Sequence, residues 1–194
     1  PIAEFIPPHD LLGRLAEVPV PQAGEALLRV LYGGICGADV ASYTGNQPFT
    51  TYPRIPGHEF SGEVVKVREA ENETWLNKRV GIFPLIPCRK CAMCRKGRYE
   101  LCRDYDYIGS RRDGAFAEYV SVPVQNLVEL PDNVTFEQAA MLEPMAVAVH
   151  AMRRIVFDRK RPAAVLGLGT IGMLLVMFLR DAGCEELYVI GNKE

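Results

Sequence analysis

Two short stretches, Cys36-Gly37-Ala38-Asp39 and Pro56-Gly57-His58-Glu59, decide how the rest of the sequence is interpreted. Together they offer a thiol, an imidazole and a carboxylate, which are ligand types that Zn²⁺ accepts. A mixed set is typical of a catalytic zinc site, because such a site keeps one coordination position for water or substrate. Gly57 permits a backbone turn that aims His58 inward, and Asp39 is a candidate acceptor for the imidazole N–H. The alternative is a loop with a buried cysteine and a surface His-Glu pair.

The composition is that of an ordinary globular protein. The 194 residues are 48% hydrophobic and 24% charged with a net charge of −2, which suits one full domain and part of a second. The near-neutral balance argues against a nucleic-acid partner, and no apolar run approaches the ~20 residues of a membrane span. Residues 1–8 lack the features of a signal peptide. Six cysteines, four of them clustered, predict a reducing, cytoplasmic setting with metal thiolates rather than disulfides.

The clustered cysteines form a second candidate metal site. Their spacing is C-x₂-C-x₂-C-x₇-C, and they are Cys88, Cys91, Cys94 and Cys102. Four thiolates this close can complete a tetrahedral shell, so we predict a structural zinc site in a lobe over residues 88–102. An iron–sulfur cluster is the alternative, because ferredoxins begin with the same C-x₂-C-x₂-C. Here the fourth cysteine comes later and no proline follows it, which favours zinc.

Residues 1–134 have the pattern of a β-rich domain. Alternating apolar residues between Gly and Pro turns predict strands at Glu25–Tyr32, Phe60–Val67, Arg79–Phe83 and Phe116–Val122. Short strands of this kind predict a small β-barrel or sandwich-like domain.

From residue 135 onward the pattern becomes α/β. Thr135 can cap a helix with Gln138 as its capping-box partner, and helical composition continues to about Val156, although Pro144 should break or kink it. A short apolar strand at 163–166, a helix from about 170 to 182 and another strand at 187–190 follow.

A glycine turn joins that strand to that helix. The turn reads Gly167-Leu168-Gly169-Thr170-Ile171-Gly172, and its glycines would let a pyrophosphate approach the helix N-terminus. The alternative is a turn with incidental glycines. The acidic residue that usually holds the ribose hydroxyls is expected at Gly191, which is followed by Asn192 and Lys193. The missing carboxylate and the nearby lysine favour NADP slightly over NAD.

Together with Glu143-Pro144, these motifs resemble the zinc-dependent medium-chain alcohol/polyol dehydrogenase family, in its sorbitol dehydrogenase branch. The resemblance runs from about Glu17 to the end, and Tyr105–Tyr119 is most like a polyol-phosphate member. It implies a GroES-like β-barrel catalytic domain over residues 1–134. The start of a Rossmann nucleotide-binding domain follows over residues 135–194, incomplete because the family chain is longer.

The resemblance also implies roles for individual residues. Ligands or near-ligands of a catalytic zinc would be Cys36, His58, Glu59 and Glu143, with Asp39 behind the imidazole. The four clustered cysteines would hold a structural zinc. Ala38 and Ala41 stand where the family usually has the hydroxyl and the imidazole of a proton relay. We therefore expect Glu59 or Glu143, with a zinc-bound water, to take over proton transfer.

The sequence thus predicts an oxidoreductase that transfers a hydride between a polyol or polyol phosphate and NAD or NADP. Arg111 and Arg112 are candidates for a phosphate contact, with solvated loop charges as the alternative. We expect a small-molecule substrate, no nucleic acid or membrane partner, and a homo-oligomer at full length. The competing hypotheses are a catalytically inactive relative and a zinc-ribbon binding module.

Overall fold

The computed structural model describes residues 1–6 and 9–191, and the chain divides into two compact units, Pro1–Leu142 and Glu143–Glu194. The strands among the described residues are β1 (Ile2–Phe5), β2 (Leu11–Arg14), β3 (Glu25–Gly33), β4 (Phe60–Val67), β5 (Arg79–Ile82), β6 (Leu85–Ile86), β7 (Asp106–Tyr107), β8 (Tyr119–Pro123), β9 (Leu127–Glu129), β10 (Ala163–Leu166) and β11 (Leu187–Ile190). The helices are α1 (Gly37–Tyr43), α2 (Ala92–Arg95), α3 (Phe136–Ala140), α4 (Leu142–Met152) and α5 (Thr170–Asp181). No helix of this described part is long and apolar enough to cross a membrane.

The first unit is built on a five-stranded antiparallel sheet with the order β8-β3-β4-β5-β9. Leu28, Val64, Val80 and Val122 are fully buried and form the centre of its core, as expected for strands with one face turned away from water. The pairs β1–β2 and β6–β7 form separate two-stranded sheets.

The central sheet is open within the described residues, whereas we expected a closed barrel. Its edge strands β8 and β9 are not hydrogen-bonded to each other, although only Val124–Asn126 separates them along the chain. Those three residues form a 3₁₀ turn in which the amide of Leu127 bonds to Val124, so β9 pairs with β5 alone. The β-rich, GroES-like character of the prediction is confirmed, but closure into a barrel is not found.

The predicted strands agree with β3, β4, β5 and β8 except at their ends. Phe60–Val67 is strand β4 as predicted, and β3 extends one residue further, to Gly33. The strand predicted from Phe116 begins only at Tyr119, because the amide of Phe116 bonds to Pro56 and its carbonyl accepts from Ala3. These long-range bonds hold the start of the segment outside the central sheet.

The predicted capping box at Thr135 is confirmed, but the predicted helix is two helices. The Thr135 side chain accepts from the Gln138 amide, and Gln138 Oε1 accepts from the Thr135 amide. The interruption is at Met141 rather than at Pro144, because Pro144 lies in the first turn of α4, where its missing N–H is not needed. The second helix ends at Met152 instead of about Val156.

Helix α3 packs on the central sheet and therefore belongs to the first unit. Ser61 Oγ donates to the carbonyl of Phe136, and the Arg79 guanidinium lies 4.7 Å from the centre of the Phe136 ring. The compact units accordingly divide after Leu142. The domain boundary between residues 134 and 135 stays a prediction.

The second unit contains the predicted β-α-β segment. Strands β10 and β11 pair in parallel, with Leu166 opposite Ile190, and α5 connects them. Val165, Leu179 and Cys184 form the buried core of this unit. Helix α5 ends at Asp181 with Gly183 at a φ of +85°, a left-handed conformation that suits glycine.

Glu25 is a buried carboxylate that anchors the loop after β7 to the sheet. It accepts hydrogen bonds from the amide of Gln22, Ser121 Oγ and, at 2.6 Å, Arg112 Nη2. Burial alone would raise the pKa of Glu25, but these bonds and the charge of Arg112 outweigh burial and lower the pKa below its usual value. Because Arg112 lies between Ile108 and Gly114, this contact fixes the loop that follows β7.

We expect Glu25→Gln to lower the free energy of unfolding by about 1–3 kcal/mol at pH 7, because the half-buried Arg112 loses its charged acceptor. The lowered pKa of Glu25 means that its contribution is present above the unfolded pKa and is lost as the pH falls through the folded value. The difference between wild type and variant should therefore shrink as the pH falls below about 4.

Urea unfolding at pH 7 and pH 3 measures this difference. Glu71→Gln, at an exposed position in a 3₁₀ turn, is the matched control and should change the free energy by less than about 0.5 kcal/mol. Equal losses in the two variants would contradict the anchoring role of Glu25, and so would a difference that persists undiminished at pH 3.

Candidate functional site

The mixed cluster of Cys36, His58 and Glu59 is assembled by the central sheet. Strand β3 ends at Gly33 opposite Phe60, the first residue of β4, so the residues after β3 meet the residues before β4. The amide of Gly34 bonds to the carbonyl of Glu59 at 2.6 Å and continues this pairing. As a result, one ligand atom from each member of the cluster lies within 4.8 Å of the others. The sulfur, nitrogen and oxygen donors together fit a zinc ion.

The Asp39 carboxylate contacts both segments of the cluster. Its Oδ2 accepts from the Cys36 amide at 2.8 Å, and its Oδ1 accepts from the Gly57 amide at 3.4 Å and lies 3.6 Å from His58 Nδ1. The side chains of Asp39 and His58 are only 5% and 8% exposed, so this pair is screened from water. Asp39 therefore lies beside the imidazole and bonds to both segments that supply the candidate ligands.

Two glycines allow close packing around the mixed cluster. Gly57 has a φ of +98°, and a Cβ there would lie 2.5 Å from the Phe116 ring. A Cβ on Gly34 would lie 2.5 Å from Glu59 Oε2. Gly57 therefore excludes larger residues, and a side chain at Gly34 would require the Glu59 carboxylate to move.

The protonation of His58 depends on its acidic neighbours. Burial lowers the pKa of His58, but Asp39 and then Cys36 raise it through hydrogen bonds and negative charge, to about 10. The imidazole is therefore charged at neutral pH when no cation binds beside it. Zinc takes the neutral imidazole as ligand, so metal binding would displace a proton from His58.

Glu143 lies in the first turn of α4, at the beginning of the second unit. The cluster described in the first unit consists of Cys36, His58 and Glu59. The role of Glu143 as a ligand or near-ligand stays a prediction.

The four lobe cysteines converge on one point. Their Sγ atoms all lie within 4.8 Å of one another, and those of Cys88 and Cys94 are 4.0 Å apart. Tetrahedral zinc with Zn–S bonds of ~2.3 Å separates its sulfurs by about 3.8 Å, so this spacing fits zinc. All six cysteines of the chain lie in its described part and are free thiols.

Two of the lobe sulfurs accept hydrogen bonds from backbone amides. The Cys94 amide donates to Cys91 Sγ, and the Cys88 amide donates to Cys102 Sγ. The bond from the Cys94 amide is the largest influence on Cys91 and helps lower its pKa to about 6, while burial raises the pKa of Cys94 to about 12. The pKa of Cys102 is lowered as well, so two of the four converging sulfurs favour the thiolate form that zinc binds.

A cavity of about 210 Å³ lies beside His58. Ala38 lines it, so the position where the family usually has a relay hydroxyl faces the cavity without one. Ser42, one turn further along α1, lines the same cavity, and its hydroxyl is paired with that of Thr50 at 2.7 Å. The Tyr107 ring meets the His58 ring edge-on at 5.7 Å.

The sequence did not identify Ser42 or Tyr107 as residues of the site. Tyr107 reaches the cavity because β7 pairs with β6, which places it opposite Leu85. A two-residue strand gives no periodic signal in the sequence. Ser42 could have been found from its helical spacing to Ala38, because residues four apart share one face of a helix.

The glycine turn has the shape predicted for a phosphate-binding loop. Gly167 has a φ of +96°, and a Cβ on Gly172 would lie 1.9 Å from the carbonyl oxygen of Gly167. Gly169 is the N-cap of α5, and open space surrounds the position of its missing Cβ. The amides of Thr170 and Ile171 begin the helix and provide the donors that favour an anion.

The end of β11 lies beside this turn. The amide of Gly167 bonds to the carbonyl of Ile190, and a Cβ on Gly191 would lie 3.0 Å from Leu168 Cδ1. Gly191 is therefore the first residue after the second strand, where the acidic residue was expected. The predicted cofactor residues Asn192 and Lys193 lie outside the described residues.

We expect Asp39→Asn to weaken zinc binding at the mixed cluster about 10–100-fold, because the residue that orients His58 loses its charge and one of its acceptor atoms. Competition between metal-free protein and a chromophoric zinc chelator measures this affinity. Asp132→Asn, at an exposed position, is the matched control. Equal zinc affinity in the two variants would exclude Asp39 from the support of the cluster.

The chain is similar in sequence to a known protein family and to characterised relatives. Residues 22–132 match the alcohol dehydrogenase GroES-like domain family. L-galactonate-5-dehydrogenase of Escherichia coli K12 is 37% identical over 92% of this chain and 52% of its own length. Galactitol 1-phosphate 5-dehydrogenase of the same strain is 34% identical over 93% and 53%. The chain thus spans about half the length of the curated relatives it matches.

Three solved structures share the fold. A structure described as a short chain alcohol dehydrogenase of E. coli CFT073, complexed with NADH, has a TM-score of 0.91 at 28% identity, over 100% of this chain and 62% of its own. A zinc-binding dehydrogenase of Sinorhizobium meliloti 1021 bound to NADP has 0.88 at 33%, over 97% and 55%. A thermostable alcohol dehydrogenase of Pyrobaculum aerophilum with cobalt and zinc has 0.88 at 28%, over 99% and 59%.

These comparisons confirm the resemblance that the sequence motifs suggested. The matched residues include the ligand cluster, its Asp39 support and the cysteine lobe. The chain belongs to the zinc-type medium-chain dehydrogenases and carries their GroES-like domain.

Proposed function

We propose that this protein is an NAD(P)-dependent zinc alcohol/polyol dehydrogenase that transfers a hydride between a polyol or polyol phosphate and a nicotinamide cofactor. The observation that carries the proposal is the convergence of Cys36, His58 and Glu59 in front of the buried Asp39, beside a cavity that can admit a small molecule. The relatives named for L-galactonate and galactitol 1-phosphate support substrates with several hydroxyl groups.

We propose that the two cysteine-containing clusters hold zinc ions of different kinds. The four lobe sulfurs form a closed set, as in structural sites. His58 of the mixed cluster lines a cavity, which leaves room for water or substrate, and Glu143 is a candidate for a further ligand or near-ligand. When bound at the mixed cluster, zinc would act as a Lewis acid on the alcohol oxygen.

The side chains around the cavity orient the candidate ligands and must also accept the proton of the alcohol. Asp39 keeps His58 oriented, and the Glu59 carboxylate is held against Gly34. Ala38 offers no hydroxyl to receive the alcohol proton, so we propose that Glu59 or Glu143, through a water molecule, accepts it. The absence of the usual hydroxyl is also the observation that favours the second candidate, a catalytically inactive relative.

For the cofactor, we propose NAD or NADP at the glycine turn, with a slight preference for NADP. The open space at Gly169 and the amides at the start of α5 support a pyrophosphate there. Gly191 supports NADP because it carries no carboxylate that would repel a 2′-phosphate, and Lys193 follows it closely in sequence.

We further propose a reducing, cytoplasmic setting, a small-molecule partner and a homo-oligomer at full length. The free state of all six thiols supports the first of these. The mixed cluster argues against a zinc-ribbon binding module, because such a module needs only the four-cysteine site.

Metal analysis tests the two-site proposal. We expect two zinc ions per chain in the wild type and one in each of Cys36→Ser and Cys88→Ser. The thermal unfolding midpoint should fall much more for Cys88→Ser, because a structural zinc contributes directly to folding. Cys184→Ala is the control and should keep both ions, because Cys184 lies in the core of the second unit.

Elemental analysis of dialysed protein, combined with kinetics of the full-length protein on a panel of polyols and polyol phosphates, separates the alternatives. Iron in the lobe would indicate a cluster, and a single zinc in the wild type would indicate a binding module. Two zincs without turnover of any compound in the panel would indicate an inactive relative.

Cofactor preference is tested by kcat/KM for NADP and NAD in the full-length protein. We expect the parent to prefer NADP slightly and Gly191→Asp to shift the ratio toward NAD about tenfold or more, because a carboxylate repels the 2′-phosphate. Gly191→Ala controls for the new Cβ, to which Leu168 must adjust by a few tenths of an ångström. A strong NAD preference in the parent that Gly191→Asp leaves unchanged would refute the assignment of this position.

A further inference from the structure

Arg111 is a fixed cation on the wall of the cavity beside His58. Its Nη1 donates to the carbonyl of Tyr105 at 2.8 Å. Its guanidinium carbon lies 4.0 Å from the centre of the Tyr105 ring and 5.6 Å from that of Phe49. Two aromatic contacts and a hydrogen bond hold the plane of the guanidinium in one orientation.

The guanidinium belongs to the cavity that contains His58. Arg111 also borders a larger polar cavity of about 510 Å³, which Glu4, Arg14 and Glu25 help to line. Tyr105 and Phe49, the rings that contact the guanidinium, line the cavity beside His58 and not the larger one. The charged end of Arg111 therefore lies on the side of the mixed cluster.

The two neighbouring arginines have different electrostatic surroundings. Arg112 pairs with Glu25 at 2.6 Å and lies 3.9 Å from Asp106, so its charge is balanced. None of the ion pairs found among the described residues involves Arg111. The other charged side chains on this cavity wall, Asp39 and His58, are paired with each other. The positive charge of Arg111 therefore has no acidic partner among the described residues of the cavity wall.

The loop that carries Arg111 is held rigidly in place. The amide of Gly109 bonds to the carbonyl of Arg112 at 2.9 Å, and the amide of Gly114 bonds to Ile55 at 2.7 Å. Arg112 itself anchors the loop to Glu25. A guanidinium on such a support loses little freedom when it binds a ligand, which favours affinity.

We propose that Arg111 binds an oxyanion of the substrate, so that this protein acts on acidic polyols rather than neutral ones. The N–H donors that Tyr105 does not use can form a bidentate contact with two oxygens of a phosphate or of a carboxylate. The reacting end of this substrate rests on the dehydrogenase function proposed above, whereas the anion contact does not depend on it. Arg112 has a structural role in the same loop.

Kinetics of the full-length protein distinguish the two sources of the oxyanion. The substrates are a neutral hexitol, its phosphate monoester and the corresponding aldonate. We expect kcat/KM for the phosphate or the aldonate to exceed that for the neutral hexitol about tenfold or more. Arg111→Ala should lower the value for the preferred acidic compound about 10–100-fold, mainly through KM, and change the neutral hexitol less than about threefold.

Direct binding of inorganic phosphate and of acetate, followed by calorimetry, provides a readout without turnover. Arg111→Ala should weaken the better-bound of the two anions about tenfold or more, and Arg111→Lys should restore part of the affinity. Arg153→Ala, which removes the same charge from an exposed position after α4, is the matched control. Unchanged thermal unfolding midpoints would show that the variants remain folded.

The outcomes separate the two proposals. If Arg111→Ala weakens anion binding but no polyol is oxidised, the dehydrogenase function fails and the anion site stands. If Arg111→Ala and Arg153→Ala bind phosphate and acetate equally well, and handle acidic and neutral polyols alike, the anion site is refuted even when the protein is an active dehydrogenase.

Discussion

The arrangement at the mixed cluster depends on one buried carboxylate. Asp39 accepts from the backbone at Cys36 and at Gly57 and faces the imidazole of His58. A buried carboxylate is costly unless its oxygens are hydrogen-bonded, so these contacts hold the Asp39 side chain in place. The same contacts join the start of α1 to the segment before β4. The relative positions of Cys36 and His58 therefore follow from the contacts that this one buried side chain makes.

Strand β3 links this cluster to the other side of the cavity. Glu25, at its beginning, holds the loop of Arg112 and so presents Arg111, while Gly33, at its end, aligns Cys36 with the residues before β4. The candidate metal ligands and the guanidinium are thus positioned by one strand of the central sheet. Rigid elements of this kind hold a site more closely than loops alone could.

The glycine turn divides three tasks among residues of one type. Gly167 supplies a left-handed backbone conformation, Gly172 allows helix and turn to touch, and Gly169 leaves space at the start of α5. The first two tasks concern folding of the second unit, since any side chain at Gly172 would collide with the backbone. The third concerns only ligand binding, because no described residue fills that space. Two of the three glycines are therefore required by the fold, and the third leaves space for a ligand.

The sequence by itself determined the features that depend on neighbours along the chain. These are the cysteine spacing of the lobe, the alternation that defines β4, the Thr135 capping box and the turn at Gly167–Gly172, because each arises within one short segment. Only the tertiary structure decided that Asp39 also bonds to the amide of Gly57, that Tyr107 and Ser42 border the same cavity, and that Arg111 rather than Arg112 faces it. It also decided that the central sheet stays open and that the helix breaks at Met141. The physical reason is that these features depend on strand register and on contacts between distant segments, which residue spacing does not specify.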